Sequence, residues 1–516
     1  MVMKTHTYNN DIPMKNFILL MLLLGEMTGA YGQKKPNIVI IISDDHAYQT
    51  IGAYQPALKN TPNLDKLAAE GAIFSKAYVS NSICGPSRAV LLTGKYSHKN
   101  GFKDNETSTF DFSQDSFIKQ LTNSGYKTSW IGKIHLGYKL EGFTDYDILV
   151  GQGHYFNPDF ISPDGRHRQK GYVSDIVTDK AIDWMKEHQD QPFCVVIGHK
   201  ATHRTWMPDP QDFGVNDEEE FELPKTFYDD YRTREAAKLQ EMSIDKDMQM
   251  GYDLKMYPTV ADMRKDGNFA RMDDEQFQKY IEYYRPIYDD LQKRQLKGKE
   301  LAEWKYRRYM IDYQNTARSM DRSIGRVTDY LRDSGLEDNT LVIYLSDQGF
   351  YMGEHGWFDK RWMYEESFRT PMIAKMPTLI KAHSRIDQQV MNVDIAPTLL
   401  QIAQVDVPLD MQGKSFLPLL RGDKKKIRDV LYYHYYEKGE HAVSPHFGIS
   451  DGRYKLIRLY HKVEGWEFYD LKADPQEMIN RYEDPKFKKQ IEKMKAKLVL
   501  EIKKVDDKEA LELLDK

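Results

Sequence analysis

The sequence predicts an α/β protein, a sheet flanked by helices, followed by a smaller C-terminal α+β region with an antiparallel sheet. Three observations carry this expectation. Four short apolar runs, at 37–43, 127–131, 192–197 and 340–345, alternate with stretches of helical character, the arrangement of a sheet covered by helices. Each run gives way at its C-terminal end to charged or metal-binding side chains, where open α/β sheets place their sites. Beyond residue 426 the composition turns to aromatic, alternating segments, which suit a small antiparallel sheet.

Taken in order, Asn37–Ser43 is a continuous β-branched run, as expected of a strand covered on both faces, and it ends in Asp44-Asp45-His46. Residues 63–68 start a helix that Gly71 closes. The stretch 82–95 reads as a loop turning into a helix, with Pro86 suited to the first helical position and Gly94 to the stop. Its free N–H groups make the surroundings of Cys84 ready for an anion, and Arg88 adds a cation one turn further in. The run 127–131 ends in Gly132-Lys133-Ile134-His135, and 192–197 ends near His199 and His203. Residues 213–300, rich in Asp, Glu, Lys, Tyr and Met, carry no strand signal and are expected to be a helical, charged elaboration over the core.

Helical spacing of Met310, Tyr313, Ala317, Met320, Ile324, Val327 and Leu331, with Gly335 as the stop, predicts a long helix packed on the sheet. It feeds the run 340–345, which ends in Ser346-Asp347-Gln348-Gly349. Another core helix covers 392–400. The charged link at 421–426 divides a main domain, 33–423, from a smaller one, 424–516. In the latter, the runs 430–436, 453–458 and 467–471 are the expected strands, and an amphipathic helix begins at Pro485.

At 516 residues the chain is long enough for two domains. A net charge of −5 without a basic stripe argues against nucleic acid and against a general grip on polyanions. Lys15, the apolar run 17–24 and the small residues at 30–32 read as a secretory signal peptide, residues 1–32, with Met14 as an alternative start. The run is too short to span a bilayer, so the chain is expected to be exported, periplasmic or secreted. Its two cysteines, Cys84 and Cys194, could pair, but Cys194 sits in an apolar strand and Cys84 has a better use.

Asp44, Asp45, Asp347 and Gln348 are hard oxygen donors that favour calcium or magnesium over zinc. Cys84-Gly-Pro-Ser-Arg88, followed by a short apolar helix and Thr93-Gly94, resembles the signature of the formylglycine-dependent (type I) sulfatases, with Ile83 where that family more often has Leu. The resemblance covers roughly residues 35–480. It implies an alkaline-phosphatase-like sandwich with a large mixed sheet and a smaller C-terminal domain. It also implies oxidation of Cys84 to 3-oxoalanine by a formylglycine-generating or anaerobic sulfatase-maturating enzyme. One Ca²⁺ ion would be held by Asp44, Asp45, Asp347, Gln348 and the modified Cys84; the family more often has Asn at the Gln348 position.

By the same resemblance Arg88 stabilises the aldehyde hydrate, Lys133 and Lys360 hold sulfate oxygens, His135 assists the nucleophile and His203 protonates the leaving oxygen. Residues 199–208 and 358–365 look most like the N-acetylglucosamine-6-sulfatases and bacterial relatives acting on host glycans. The substrate implied is a 6-O-sulfated N-acetylglucosamine of a glycosaminoglycan or mucin glycan. His355, Arg361 and His446 are the substrate-binding candidates, with His434 and His441 as weaker ones. Sulfated galactose or N-acetylgalactosamine is the alternative substrate. The rival classes are a two-zinc phosphatase or phosphodiesterase, against which Cys84 and Gln348 speak, and a glycan-binding protein with an unmodified Cys84.

Overall fold

The run Asn37–Ser43 forms strand β1, and every residue of it is buried because strands flank it on both sides. The computed structural model describes residues 1–5 and 35–514, so the predicted signal peptide lies outside the described residues. The chain divides into two units, Met1–Lys35 and Pro36–Lys516, and all elements named below belong to the second.

Strand β1 is followed by β2 (Lys127–Gly132), β3 (Phe193–Gly198), β4 (Thr340–Ser346) and β5 (Met372–Lys375). The four predicted strands lie side by side in the order β4-β1-β3-β2, and every pair among neighbours is parallel. Among the described residues the sheet has ten strands: β5, Ala72–Phe74 and Ser384–Ile386 extend it beyond β4, while Asp145–Leu149, Asp159–Ser162 and Gly165–Arg168 extend it beyond β2. β5 runs antiparallel to β4, and Asp159–Ser162 antiparallel to Asp145–Leu149, so the sheet is mixed. These flanking strands are short or polar and gave no periodic signal.

Alternation along β1 sends Val39 and Ile41 to one face and Ile38, Ile40 and Ile42 to the other. The first face packs with α2 (Val173–His188) and the long α3 (Gly298–Asp333); the second packs with α1 (Cys84–Thr93) and α4 (Ile395–Ile402). Burial of each such aliphatic side chain contributes about 1.5–3 kcal/mol. The region 213–300 departs from the expected charged cover. Only part of it is helical, chiefly Asp274–Arg294, and it sends Met248, Leu254, Tyr280 and Tyr284 into the first core.

Beyond the charged link, β6 (Leu431–Tyr435), β7 (His446–Ser450), β8 (Tyr454–Leu459) and β9 (Gly465–Asp470) form an antiparallel sheet in that order. β7 was not expected from the sequence. β6 is buried at all five positions, because it shares a core with α5 (Lys488–Val505) and with the aromatic segment around Trp357, Trp362 and Tyr364.

Two glycines let the active edge of the sheet close. Gly132 and Gly198 are paired across β2 and β3, and the Lys133 N–H donates to the Gly198 carbonyl at 2.7 Å. A Cβ on Gly198 would lie 2.1 Å from the Lys133 carbonyl oxygen, and Gly132 has φ +94°. The substitution Gly198→Ala must therefore part the two strands and move Lys133. We expect it to destabilise the fold by about 1–3 kcal/mol, seen as a lower urea midpoint; an unchanged midpoint would contradict this packing.

Candidate active site

Parallel pairing puts the ends of β1, β2, β3 and β4 on one edge of the sheet. Ser43 is opposite Ser346, so Asp44-Asp45 and Asp347-Gln348 emerge together. The Asp45 N–H donates to Asp347 Oδ1 at 3.2 Å, and Gln348 Nε2 donates to Asp45 Oδ1 at 2.5 Å. All four side chains are buried.

Helix α1 delivers the next two groups. Cys84 is its first residue, so Pro86 stands third rather than first; it still falls in the turn whose N–H groups have no helical partner. Gly94 ends the helix in the left-handed conformation, as expected. Cys84 Sγ lies 3.1 Å from Asp44 Oδ1, and Lys360 Nζ is 3.5 Å from the same sulfur. Both cysteines are free, and Cys84 is 1% exposed. Arg88 Nε donates to Asp347 Oδ2 at 2.9 Å and Nη1 to the Lys133 carbonyl at 2.6 Å.

The site is a compact alternation of buried charges. Lys133 Nζ donates to Asp44 Oδ2, and Lys360 Nζ donates to both Asp45 oxygens at 2.7 and 2.6 Å. Against the upward push of burial, Lys133, Arg88 and Lys360 hold Asp44 well below the usual carboxylate range. Asp347 is instead pushed up to about 7 by burial and by Asp44 and Asp45, in spite of Arg88. Burial and Asp44 raise the Cys84 thiol, so the side chain stays protonated. Asp44, Asp45, Cys84 and His203 present ligand atoms within 4.8 Å of one another, and Gln348 Oε1 is a buried oxygen without a partner. Three crowded carboxylates, two of them, Asp45 and Asp347, raised by burial and by their acidic neighbours, with a spare amide oxygen, fit a hard cation.

A residue missed by sequence reasoning connects two predicted ones. Gln152 Oε1 accepts from Lys133 Nζ, and its Nε2 lies 3.2 Å from His135 Nε2. A lysine ammonium can only donate, which turns the amide nitrogen toward His135 and makes His135 Nε2 the acceptor. The neutral imidazole then carries its proton on Nδ1. Burial and Lys133 lower His135 to about 3, keeping it neutral. Lys200, also missed, donates to the Gln152 carbonyl at 3.2 Å; burial and Lys133 lower it to about 7. Glutamine on a loop offers no periodic or motif signal, whereas Lys200 stood within the stretch singled out at 199–208.

His203 Nδ1 is 2.7 Å from the Arg204 carbonyl, so that nitrogen carries the proton and Nε2 is left free, 4.0 Å from Asp45 Oδ2. Burial keeps the ring neutral. His199 is buried and does not line the pocket.

These groups open into a pocket of about 280 Å³ whose lining includes Asp45, Cys84, Gln152, His203 and Lys360. Its outer wall brings Asp359, Arg361, Glu437 and His441. Arg361 Nη1 donates to Glu437 Oε2. His441 Nε2 lies 3.1 Å from Asp359 Oδ2 and its Nδ1 2.7 Å from the Glu241 carbonyl; Asp359 raises it against the effect of burial.

Two expected substrate contacts are not there. His446 is fully buried: its Nε2 accepts from the Met363 N–H at 3.1 Å, its Nδ1 donates to the Ser444 carbonyl at 2.8 Å, and the ring stacks on Trp362. Both nitrogens are used, and none is left for a sugar. His355 is also fully buried, with Nδ1 2.8 Å from Asp229 Oδ2. It anchors the segment leading to Lys360 instead of facing the pocket. His434 is held by Asp507 at 2.8 Å, away from the lining. Of the C-terminal histidines considered, His441 is the one on the pocket.

The sulfatase family profile matches residues 36–405, and that of the N-sulphoglucosamine sulphohydrolase C-terminal region matches residues 353–504. The chain is 45% identical over 478 residues to an N-acetylglucosamine-6-O-sulfatase of Bacteroides thetaiotaomicron, covering 89% of this chain and 85% of the relative. It is 26% identical to the human N-acetylglucosamine-6-sulfatase, over 83% of this chain and 73% of that one. A solved structure of a protein in complex with its substrate D-glucosamine-2-N,6-O-disulfate superposes with TM-score 0.89 at 43% identity, covering 92% of this chain and 99% of the other. The fold is the alkaline-phosphatase-like sulfatase fold. The chain belongs to the sulfatase family and is a sulfuric ester hydrolase.

Proposed function

We propose that the protein removes the 6-O-sulfate of a terminal N-acetylglucosamine in a glycosaminoglycan or mucin glycan, acting through formylglycine at residue 84 and one calcium ion. The observation that carries this reading is the convergence of Cys84, Arg88, Lys133, His203 and Lys360 around one buried carboxylate cluster, in a chain 45% identical to an N-acetylglucosamine-6-O-sulfatase. Export by the 1–32 signal peptide and a domain division near residue 423 belong to the same reading.

Sulfate esters need a strong nucleophile, cations on the sulfate oxygens and an acid for the departing alkoxide. The hydrated aldehyde would supply two hydroxyls on one carbon: one attacks sulfur and displaces the alcohol, and the other loses its proton, expels sulfate and restores the aldehyde. Calcium held by Asp44, Asp45, Asp347 and Gln348 would supply positive charge beside that carbon. Lys133 and Lys360, already aimed at the cluster, neutralise the sulfate. Arg88, fixed by Asp347 one turn further along α1, would stabilise the aldehyde hydrate at residue 84. His203 keeps Nδ1 on the Arg204 carbonyl, so Nε2 is the atom that carries a proton to the leaving oxygen. An incoming sulfate raises its proton affinity. A thiol held protonated at this position is a poor nucleophile, which supports oxidation of Cys84 as the start of its chemistry. Its 1% exposure supports maturation of this stretch before folding is complete.

The peptide containing Cys84 from the native host should show net loss of H₂S and gain of one oxygen by mass spectrometry. Cys84→Ala should lower kcat by about 10⁴-fold or more with the fold intact; full activity of an unmodified Cys84 would sink the mechanism.

Removal of divalent ions by a chelator should lower activity, and Ca²⁺ should restore it, with one calcium per chain by elemental analysis. Asp347→Ala should lose both metal and activity. Two zinc ions per chain would point to the phosphatase class.

Sulfate release from 6-sulfated N-acetylglucosamine should exceed release from 6-sulfated galactose, 3-sulfated galactose and N-acetylgalactosamine sulfates in kcat/KM. A higher value for any of the three overturns the substrate while leaving the sulfatase activity in place.

A further inference from the structure

A second cavity of about 240 Å³ adjoins the reaction pocket. Asn105 lines both, and the His135–Gln152 contact at 3.2 Å joins one wall of each. Its floor is apolar, from Ile134, Leu136 and Leu149, all buried. Thr109 supplies an exposed hydroxyl, while the Ser108 hydroxyl is spent on Asp104 and on the Lys103 N–H. Tyr138, 45% exposed, stands at the opening, its ring set by a hydrogen bond from the Gly151 N–H at 3.0 Å. Among the described residues no lysine, arginine, aspartate or glutamate lines this cavity. His135 stays uncharged because burial and Lys133 keep it neutral.

Among the described residues, the positive charges on the lining of the reaction pocket are already paired, His441 with Asp359 among them. Lys360 is engaged by Asp45, Arg361 by Glu437, and Arg204 by Asp253 at 2.5 and 2.8 Å. Two further carboxylates, Glu106 and Glu440, stand on its lining, both exposed. A uronate next to the sulfated sugar would therefore face an acidic rim, or else leave water for an apolar floor without a cation, and both are unfavourable. An uncharged pyranose meets neither penalty. A half-apolar cavity with a few hydroxyl and amide groups and one exposed aromatic ring suits it.

We propose that this second cavity is a subsite for an uncharged sugar joined to the sulfated one. The enzyme then selects a terminal 6-sulfated N-acetylglucosamine whose neighbour is a neutral hexose over one whose neighbour is a uronate. The proposal rests on the N-acetylglucosamine 6-sulfate reading above. It also places the reaction after a step that exposes the sulfated sugar at a chain end, a glycosidase or lyase cleavage.

The test compares three substrates with the mature enzyme: N-acetylglucosamine 6-sulfate itself, the same sugar linked to galactose, and the same sugar linked to glucuronate. The galactose-linked substrate should show kcat/KM about tenfold or more above the glucuronate-linked one. Tyr138→Ala should lower kcat/KM for the galactose-linked substrate by roughly fivefold while leaving the monosaccharide unchanged. Thr109→Lys, which puts a cation at the exposed edge of the cavity, should narrow the preference by roughly threefold or more through the glucuronate-linked substrate. Turnover of the monosaccharide with equal rates for the two disaccharides, or a faster glucuronate-linked one, overturns the subsite alone. No turnover of any of the three overturns the substrate reading and the subsite with it.

Discussion

The constraint on which the structure depends is the burial of opposite charges at one edge of a parallel sheet. Asp44, Asp45 and Asp347 share a space with Arg88, Lys133 and Lys360, and none of the six is more than 4% exposed. Ions taken out of water cost several kcal/mol each unless each is paired and hydrogen-bonded. The chain meets that condition by pairing Lys133 with Asp44, Lys360 with Asp45 and Arg88 with Asp347. The apolar strands supply the compensating burial. β1, with five consecutive aliphatic residues between two covered faces, is the element that can bear such a load at its end.

Backbone geometry then decides where each charge points. Four strands in parallel register deliver their ends together, and the Gly132–Gly198 approach sets the height of Lys133 against Asp44. The loop after β3 is stitched to β1 by the Asp44 N–H on the Ala201 carbonyl at 3.0 Å and the Thr202 N–H on the Asp44 carbonyl at 2.7 Å. That stitching holds His203 over the cluster. The result is a polar site whose side chains have little freedom, as electrostatic stabilisation of a developing charge requires.

What was legible in the sequence was what the strands dictate. Apolar runs of the right length named β1 to β4, and their polar endings named Asp44, Lys133, His203 and Asp347, because a parallel sheet gathers C-terminal ends by topology. Gln152 escaped because its role comes from a loop folding back on Lys133, a tertiary fact with no local pattern. β7 and the edge strands escaped for the same reason. His355 was placed by its nearness in sequence to Lys360 and His446 by its place in the aromatic-rich C-terminal region, and neither reports which way a side chain turns. Both are spent in buried hydrogen bonds, while His441, on an irregular turn with φ +50°, reaches Asp359.

The loop between β6 and β7, with Glu437, Glu440 and His441, is a wall of the pocket, and the segment 353–368 ties it to the cluster. That segment lies in the overlap of the two matched family profiles, 36–405 and 353–504. At one end His355 is held by Asp229. At the other, Tyr364 donates to Glu467 at 2.8 Å, the Glu365 N–H donates to Glu477 at 2.8 Å, and Lys455 donates to the Met363 carbonyl at 2.7 Å. Between these anchors stand Asp359, Lys360 and Arg361, with the Arg361 carbonyl accepting from Tyr433 and its guanidinium from the sheet side meeting Glu437. One short segment thus carries Lys360 inward to Asp45 and Arg361 outward to the wall. Because Lys360 touches the cluster and Arg361 touches the C-terminal region, a shift of that region would move the cation over Cys84 as well as the outer contacts. Recognition of the sugar and charge at the reacting centre are therefore set by the same stretch of backbone.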